Sequence, residues 1–378
     1  MTPFISGLGC ATPAHSATQP ASADFAILTA GLEGHSARFA EAIYRKSGIA
    51  RRSIAVLRST APDDAKVDQA FFERRADALD RGPGTAARMN AYAALAPPIA
   101  AAAARRALDD ARSIVRDIGP AAITHLITVS CTGFAAPGID IALIDELGLS
   151  RNVERLHIGF MGCHGGIIGL RTACAIAAAA HTTANVLLVC VELCSLHMQY
   201  SDRPDQIVAN ALFGDGAAAV LVSNADVPVQ ARPLRLRSAS SRLFDDSLGA
   251  MGWTIGDHGF EMALAESVPD LLKTSLAAWL GPWLESCGLS LDRARTVALW
   301  AIHPGGPRVL DAVGDALDLL PSALSCSRSV LSDFGNTSSP SVLFILERLL
   351  AADNRSDAPI VMLGFGPGLT AEAILLAR

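Results

Sequence analysis

The sequence predicts an α/β protein built as two successive halves, and three observations carry that expectation. Short apolar or β-branched runs of strand length alternate with longer helical stretches along most of the chain. The 378 residues are 51% hydrophobic but only 5% aromatic, with 31 glycines, a composition suited to small-residue helices packed tightly on a sheet. The alternation breaks once, at the polar stretch Ser223–Pro228, and then resumes. The halves are therefore expected over residues 1–224 and 225–378, meeting near 223–233.

In the first half, Ile123–Ser130 is a β-branched run ending in Cys131-Thr132-Gly133. Asn185–Glu192 and Gly216–Val222 are almost continuously apolar, as strands buried on both faces are. Ile167–Ala180 reads as a helix of small side chains. In the second half a helix is expected from Val268-Pro269, with proline at an initial position, to Leu280, where Gly281-Pro282 interrupts it. A strand Thr296–Ile302 follows, then helices over 306–317 and 339–351. Two strands, 359–363 and 369–376, end the chain around Gly364-Phe365-Gly366-Pro367-Gly368. The apolar stretch Ala91–Ala104 is interrupted by Pro97-Pro98 and ended by Arg105-Arg106. No run reaches about 20 apolar residues, so no membrane span is expected.

The net charge of −6 argues against nucleic-acid binding, whose usual footprint is a basic patch. The N-terminus lacks a basic start followed by an apolar core, so no signal peptide is expected. Eight cysteines are scattered without CxxC pairs or metal-ligand spacing. They read as free thiols of a cytoplasmic protein with no bound metal, and most of them, Cys174 included, as packing.

Cys163 is the exception. It lies in Phe160-Met161-Gly162-Cys163-His164-Gly165-Gly166, a glycine-flanked turn opening a helix, where unpaired N–H groups favour a thiolate. His303 stands at a strand end before Pro304-Gly305-Gly306, placed to face a pocket at the strand ends. Asn336, ahead of a helix, reads in isolation as a cap. Together the three supply a nucleophile, an imidazolium partner for its thiolate, and an amide able to donate to a developing oxyanion. That set suffices for acyl transfer with carbon–carbon bond formation.

The chain resembles the type III polyketide synthases of the chalcone and stilbene synthase superfamily, particularly bacterial members. The resemblance rests on Gly162-Cys163-His164-Gly165-Gly166, Ala211-Leu212-Phe213-Gly214-Asp215-Gly216, His303-Pro304-Gly305-Gly306, Gly335-Asn336-Thr337-Ser338-Ser339 and Gly364-Phe365-Gly366-Pro367-Gly368-Leu369-Thr370. It implies a thiolase-like fold of two pseudo-duplicated halves in α-β-α-β-α layers, a homodimer, and a catalytic triad of Cys163, His303 and Asn336. Cys163 would take an acyl starter from coenzyme A. Decarboxylation of malonyl-CoA would give an enolate held by His303 and Asn336, and the extended chain would cyclise to a pyrone, resorcinol or phloroglucinol. No metal or redox cofactor is required, coenzyme A thioesters being substrates.

The resemblance also assigns Phe213 as a gate between the coenzyme A tunnel and the cavity. Met262, with Phe260 two residues away, stands at the second gate. Lys46, with Arg51 and Arg52 nearby, matches a position that holds coenzyme A phosphates. Thr132, Glu192 and Ser338 match a hydrogen-bonded group beside the cysteine. Cys131, Cys194 and His197 are expected around the pocket, the last two replacing threonines of plant enzymes, and Ala136 replaces a methionine that reaches into the partner subunit. The nearest rival is a β-ketoacyl carrier-protein synthase of the third class, which shares fold and triad but typically follows its histidine with Gln-Ala-Asn. Two further readings compete: a cysteine hydrolase, needing only Cys163 and a base, and a non-catalytic acyl-CoA-binding paralogue.

Overall fold

The computed structural model describes residues 2–63, 65–115, 117–227, 232–352 and 357–378. Residues 228–231 of the expected junction lie outside these. Before the junction, a five-stranded sheet runs in the order Phe4–Ala11, Asp215–Ser223, Asn185–Leu193, His125–Ser130, Glu154–Gly159. The first three strands pair antiparallel and the last three parallel. After the junction, a four-stranded sheet runs Leu299–Ile302, Ile360–Gly366, Thr370–Ala377, Arg235–Leu243. Its first pair is parallel and the others antiparallel.

The helices Gly165–Ala179 and Ser341–Ala352 lie between the sheets. Ile167, Leu170, Val342 and Leu346 pack in one cluster with Val129 and Val220 of the first sheet and Met362 and Ile374 of the second. The helix Thr85–Ala111 covers the outer face of the first sheet with Ala100, Ala104 and Ala107. Val268–Ser286 and Pro307–Leu317 cover the outer face of the second. The result is the α-β-α-β-α layering of a thiolase-like fold. Alanine on the first outer helix permits a very close approach: a Cβ on Gly7 would collide with the Ala107 carbonyl oxygen.

Three boundaries differ from the sequence expectation. Pro97 and Pro98 lie inside a continuous 27-residue helix, and Pro282 inside a helix that runs on to Ser286. Each proline removes one intrahelical hydrogen bond, but Ala96, Ala100 and Ala101 in one helix, and Leu280 and Leu284 in the other, remain fully buried. Tertiary packing therefore carries the helix past the break. The strand expected over 296–302 begins only at Leu299, because Leu291–Val297 is a helix with the Ser290 side chain capping Arg293 N–H. A hairpin outside both sheets, Met251–Gly256 with Gly259–Leu264, closes over the strand ends at which the candidate site lies. Among the described residues, no helix is long and apolar enough to cross a membrane.

Candidate active site

Cys163 sits in a single 3₁₀ turn, Gly162–His164, leading directly into the helix Gly165–Ala179. The turn needs its glycines. Gly162 has φ 75°, and a Cβ there would lie 2.5 Å from Pro367 Cδ, so the Gly-Phe-Gly-Pro-Gly loop of the second half presses on the Cys163 turn. His303 follows the strand Leu299–Ile302, with its N–H donating to the Leu363 carbonyl at 2.8 Å. Asn336 is held by a two-bond ladder: its N–H donates to Leu212 O at 2.9 Å, and Gly214 N–H donates to Asn336 O at 3.0 Å. The structure thus brings both halves to one place.

The Asn336 amide has a defined orientation. Its Oδ1 accepts the Ser338 N–H at 2.8 Å, which leaves Nδ2 as the donor toward Cys163. Burial pushes the Cys163 thiol up to about 11, against hydrogen bonds from Ser338 and Asn336 that favour the anion. Burial likewise pulls the His303 imidazole down to about 3, with repulsion from His164 adding to it. Burial thus works against the charged form of both members of the expected thiolate–imidazolium pair. The neutral His303 ring is 1% exposed, and neither ring nitrogen has a hydrogen-bond partner. A buried polar group left this way is costly unless a ligand completes it.

A small chamber around Cys163 is lined by Cys131, Thr132, Cys194, Phe213, Met262 and Trp253, among others. Phe213, Met262, Cys194 and Trp253 also line a larger apolar cavity that continues to Phe25, Leu57, Val67 and Phe72. Of the two residues at the second gate, Met262 faces both spaces. Phe260 reaches only the larger one, stacking on His197 at 4.2 Å between ring centroids. His197 is a structural peg: its Nδ1 accepts the Phe260 N–H, which fixes the tautomer so that Nε2 donates to Thr132 O at 2.7 Å. Burial holds its pKa at about 3.

Glu192 is fully buried, and burial raises its pKa. The carboxylate accepts from Thr132 Oγ1 at 2.6 Å, from Ser339 Oγ at 2.5 Å and from the Cys131 N–H. The expected partner Ser338 is not in this group. Its hydroxyl instead meets Cys131 Sγ at 3.4 Å and Cys163, and Ser339 takes the place beside Glu192. Lys46 and Arg51 are exposed. Arg52 turns inward: it is 5% exposed, and its Nη1 donates to the carbonyls of Asn210 and Phe213 at 2.8 and 2.7 Å.

Sequence reasoning missed Trp253, whose Nε1 donates to Cys131 O at 2.7 Å and whose ring lines both spaces. The signal was available, as an indole in a Met-Gly-Trp stretch opposite Met262. Ser339, next to the expected Ser338, was also missed.

Comparison with known proteins identifies the family. Residues 62–226 match the N-terminal domain of chalcone and stilbene synthases, and residues 235–378 match the C-terminal domain of the same family. Over 375 residues the chain is 32% identical to the alpha-pyrone synthesis polyketide synthase-like Pks18 of Mycobacterium tuberculosis, covering 98% of this chain and 90% of the relative. It is 38% identical over 257 residues to 1,3,6,8-tetrahydroxynaphthalene synthase of Streptomyces peucetius, 67% of each chain. Among solved structures it is similar to PKS-I of the brown alga Ectocarpus siliculosus, with a TM-score of 0.88 and 30% identity over 100% of this chain and 98% of that one. It is also similar to a type III pentaketide synthase from Neurospora crassa, with a TM-score of 0.86 and 27% identity over 100% of both chains. With both halves matched in order, the chain belongs to the chalcone and stilbene synthase family and is a type III polyketide synthase, an acyltransferase of the decarboxylating-condensation class.

Proposed function

We propose that Cys163 carries the growing polyketide, with acyl-CoA as starter and malonyl-CoA as extender, and that His303 and Asn336 stabilise the enolate. The observation that carries this reading is a neutral thiol beside an oriented Asn336 amide at the floor of a gated apolar chamber. Sγ attacks the starter carbonyl as its proton passes to His303, and the departing coenzyme A thiolate takes that proton. The malonyl thioester then loses carbon dioxide, and its enolate oxygen accepts from an imidazole N–H of His303 and from Asn336 Nδ2. A neutral imidazole suits this step because it stabilises the enolate without readily protonating its carbon. The nucleophilic carbon attacks the Cys163 thioester, and the new C–C bond releases Sγ for return of the extended chain.

Phe213 and Met262 gate entry from the coenzyme A side. Lys46 and Arg51, exposed near the end of the helix Gly34–Lys46 and in the short strand after it, are the cations available to its phosphates. The larger apolar cavity beyond Trp253 suits an alkyl or aryl starter and the cyclising chain. The expected halves, residues 1–224 and 225–378, each supply one side of the site. A homodimer fits the unpaired edge strand Glu154–Gly159, whose surroundings expose Phe134, Leu156 and Met161. Eight free cysteines suit a cytoplasmic location.

The test is decarboxylation. Cys163→Ala abolishes starter loading in intact-mass spectra. Asn336→Ala keeps loading but loses carbon dioxide release from malonyl-CoA by about 10²-fold, the usual cost of one oxyanion donor. Undiminished release from Asn336→Ala rules out its enolate role.

A further inference from the structure

We propose that Arg52 is a positioning residue that holds the gate Phe213 and the amide Asn336 in one fixed register. This rests on the enolate role of Asn336 proposed above. Asn336 lies in no sheet. Its backbone is joined to Leu212 and Gly214 by only two hydrogen bonds. Arg52 lies across this ladder: Nη1 donates to Phe213 O at 2.7 Å and to Asn210 O at 2.8 Å. Its stem covers Gly335, where φ is 70° and a Cβ would lie 3.0 Å from Arg52 Cγ and Cδ and 2.9 Å from Leu212 O. Gly214 sits on the same side, 3.5 Å from Arg52 Cβ by the same measure. One side chain therefore touches the segments on both sides of the ladder.

The chemistry of the group argues for this purpose. The guanidinium is buried over the Tyr44 ring at 5.5 Å, and it joins no carboxylate in a salt bridge among the described residues, Asp215 feeling its charge at a longer range. Its Nε has no partner. Burying an unpaired cation is expensive, so an apolar side chain would serve better if the site needed only filling. What an apolar residue cannot do is hold two carbonyls at the end of the helix Pro204–Leu212. Arg52 fixes that helix end, hence Phe213, and through the ladder Asn336. Asp215, in the next strand, shares the region: burial raises its carboxyl to about 6, while Arg52 is among the groups that favour its charged form.

The test uses Arg52→Met and Arg52→Lys, with malonyl-CoA compared against malonyl-S-N-acetylcysteamine, which has no phosphates. A misplacement near 1 Å costs roughly 10²-fold in rate. Arg52→Met should therefore lower decarboxylation kcat by about that factor with both thioesters, while KM changes less than about threefold. Starter loading on Cys163 persists, and Arg52→Lys, which keeps a donor for the carbonyls, falls between Met and the native enzyme. A loss confined to the coenzyme A thioester and appearing in KM would make Arg52 a phosphate ligand and overturn the proposal. So would parallel losses of loading and decarboxylation that follow the unfolded fraction. Asn336→Ala, run alongside, separates the layers. If it loses decarboxylation while Arg52→Met keeps it, the brace fails alone. If it decarboxylates normally, the enolate role and the brace's purpose fail together.

Discussion

Alkylation of Cys163 by a small neutral reagent reads the resting state of the nucleophile. With the thiol held near 11, its thiolate fraction is about 10⁻⁴ at pH 7 and about 10⁻² at pH 9. An ordinary thiol of pKa about 8.5 is roughly 3% ionised at pH 7, so Cys163 should react some ~300-fold more slowly at equal access. Its rate should climb about tenfold per pH unit from roughly pH 6.5 to 9.5, without a plateau. Quenched aliquots, digested and analysed by mass spectrometry of the Cys163 peptide, separate this site from the other cysteines. Two variants should move the curve in opposite directions. Ser338→Ala removes a hydrogen bond that favours the anion and slows alkylation at every pH. Glu192→Gln removes a nearby negative charge that raises the thiol, and speeds it. A rate that is flat between about pH 6 and 8 would show a thiolate–imidazolium pair at rest and refute the neutral-pair account.

Gly162→Ala places a Cβ against Pro367 at a positive φ, and should cost about 1–3 kcal/mol in denaturant unfolding and impair starter loading. Unchanged stability would remove the steric argument for that turn. Trp253→Ala joins the chamber to the larger cavity. It should lengthen the longest acyl starter accepted in product mass spectra while costing about 1–3 kcal/mol of stability; an unaltered starter range would mean the indole does not bound the starter space. Stability should also fall in mild acid. His164, His197 and His303 are held at about 4, 3 and 3 by burial. The unfolded chain therefore takes up protons below about pH 6.5 that the native chain refuses, at a cost approaching about 1.4 kcal/mol per pH unit per histidine. The contribution of these three histidines is full above that pH and is lost as the pH falls toward about 4, against an opposite contribution from the burial-raised carboxyls of Asp215 and Glu192. His197→Leu should make this slope shallower, and an unchanged slope would argue against a neutral buried His197.

Much of this was legible in the sequence because it is local. The strands Asn185–Leu193 and Asp215–Ser223 are apolar on both faces, and the glycines around Cys163 mark its turn. The expected triad of Cys163, His303 and Asn336 was legible as residue types in characteristic turns. Its protonation state was not, because burial of Cys163 and His303 is set by residues from both halves. Pro98 and Pro282 misled because local propensity says break, while packing on a sheet, invisible in one dimension, says continue. Arg52 misled in a different way. A basic residue next to exposed Lys46 and Arg51 reads as part of one cationic cluster, but in a strand alternate side chains face opposite sides. Arg51 faces solvent and Arg52 faces the carbonyls of Asn210 and Phe213.

The most direct measurement of the central claim is intact-protein mass spectrometry on the native enzyme, first with an acyl-CoA and then with malonyl-CoA. The account predicts one acyl adduct per chain, mapped to Cys163, which then gains two-carbon ketide units on addition of malonyl-CoA, with none of these forms in Cys163→Ala. An adduct on another residue, or a Cys163 adduct that is only hydrolysed to free acid, would contradict it.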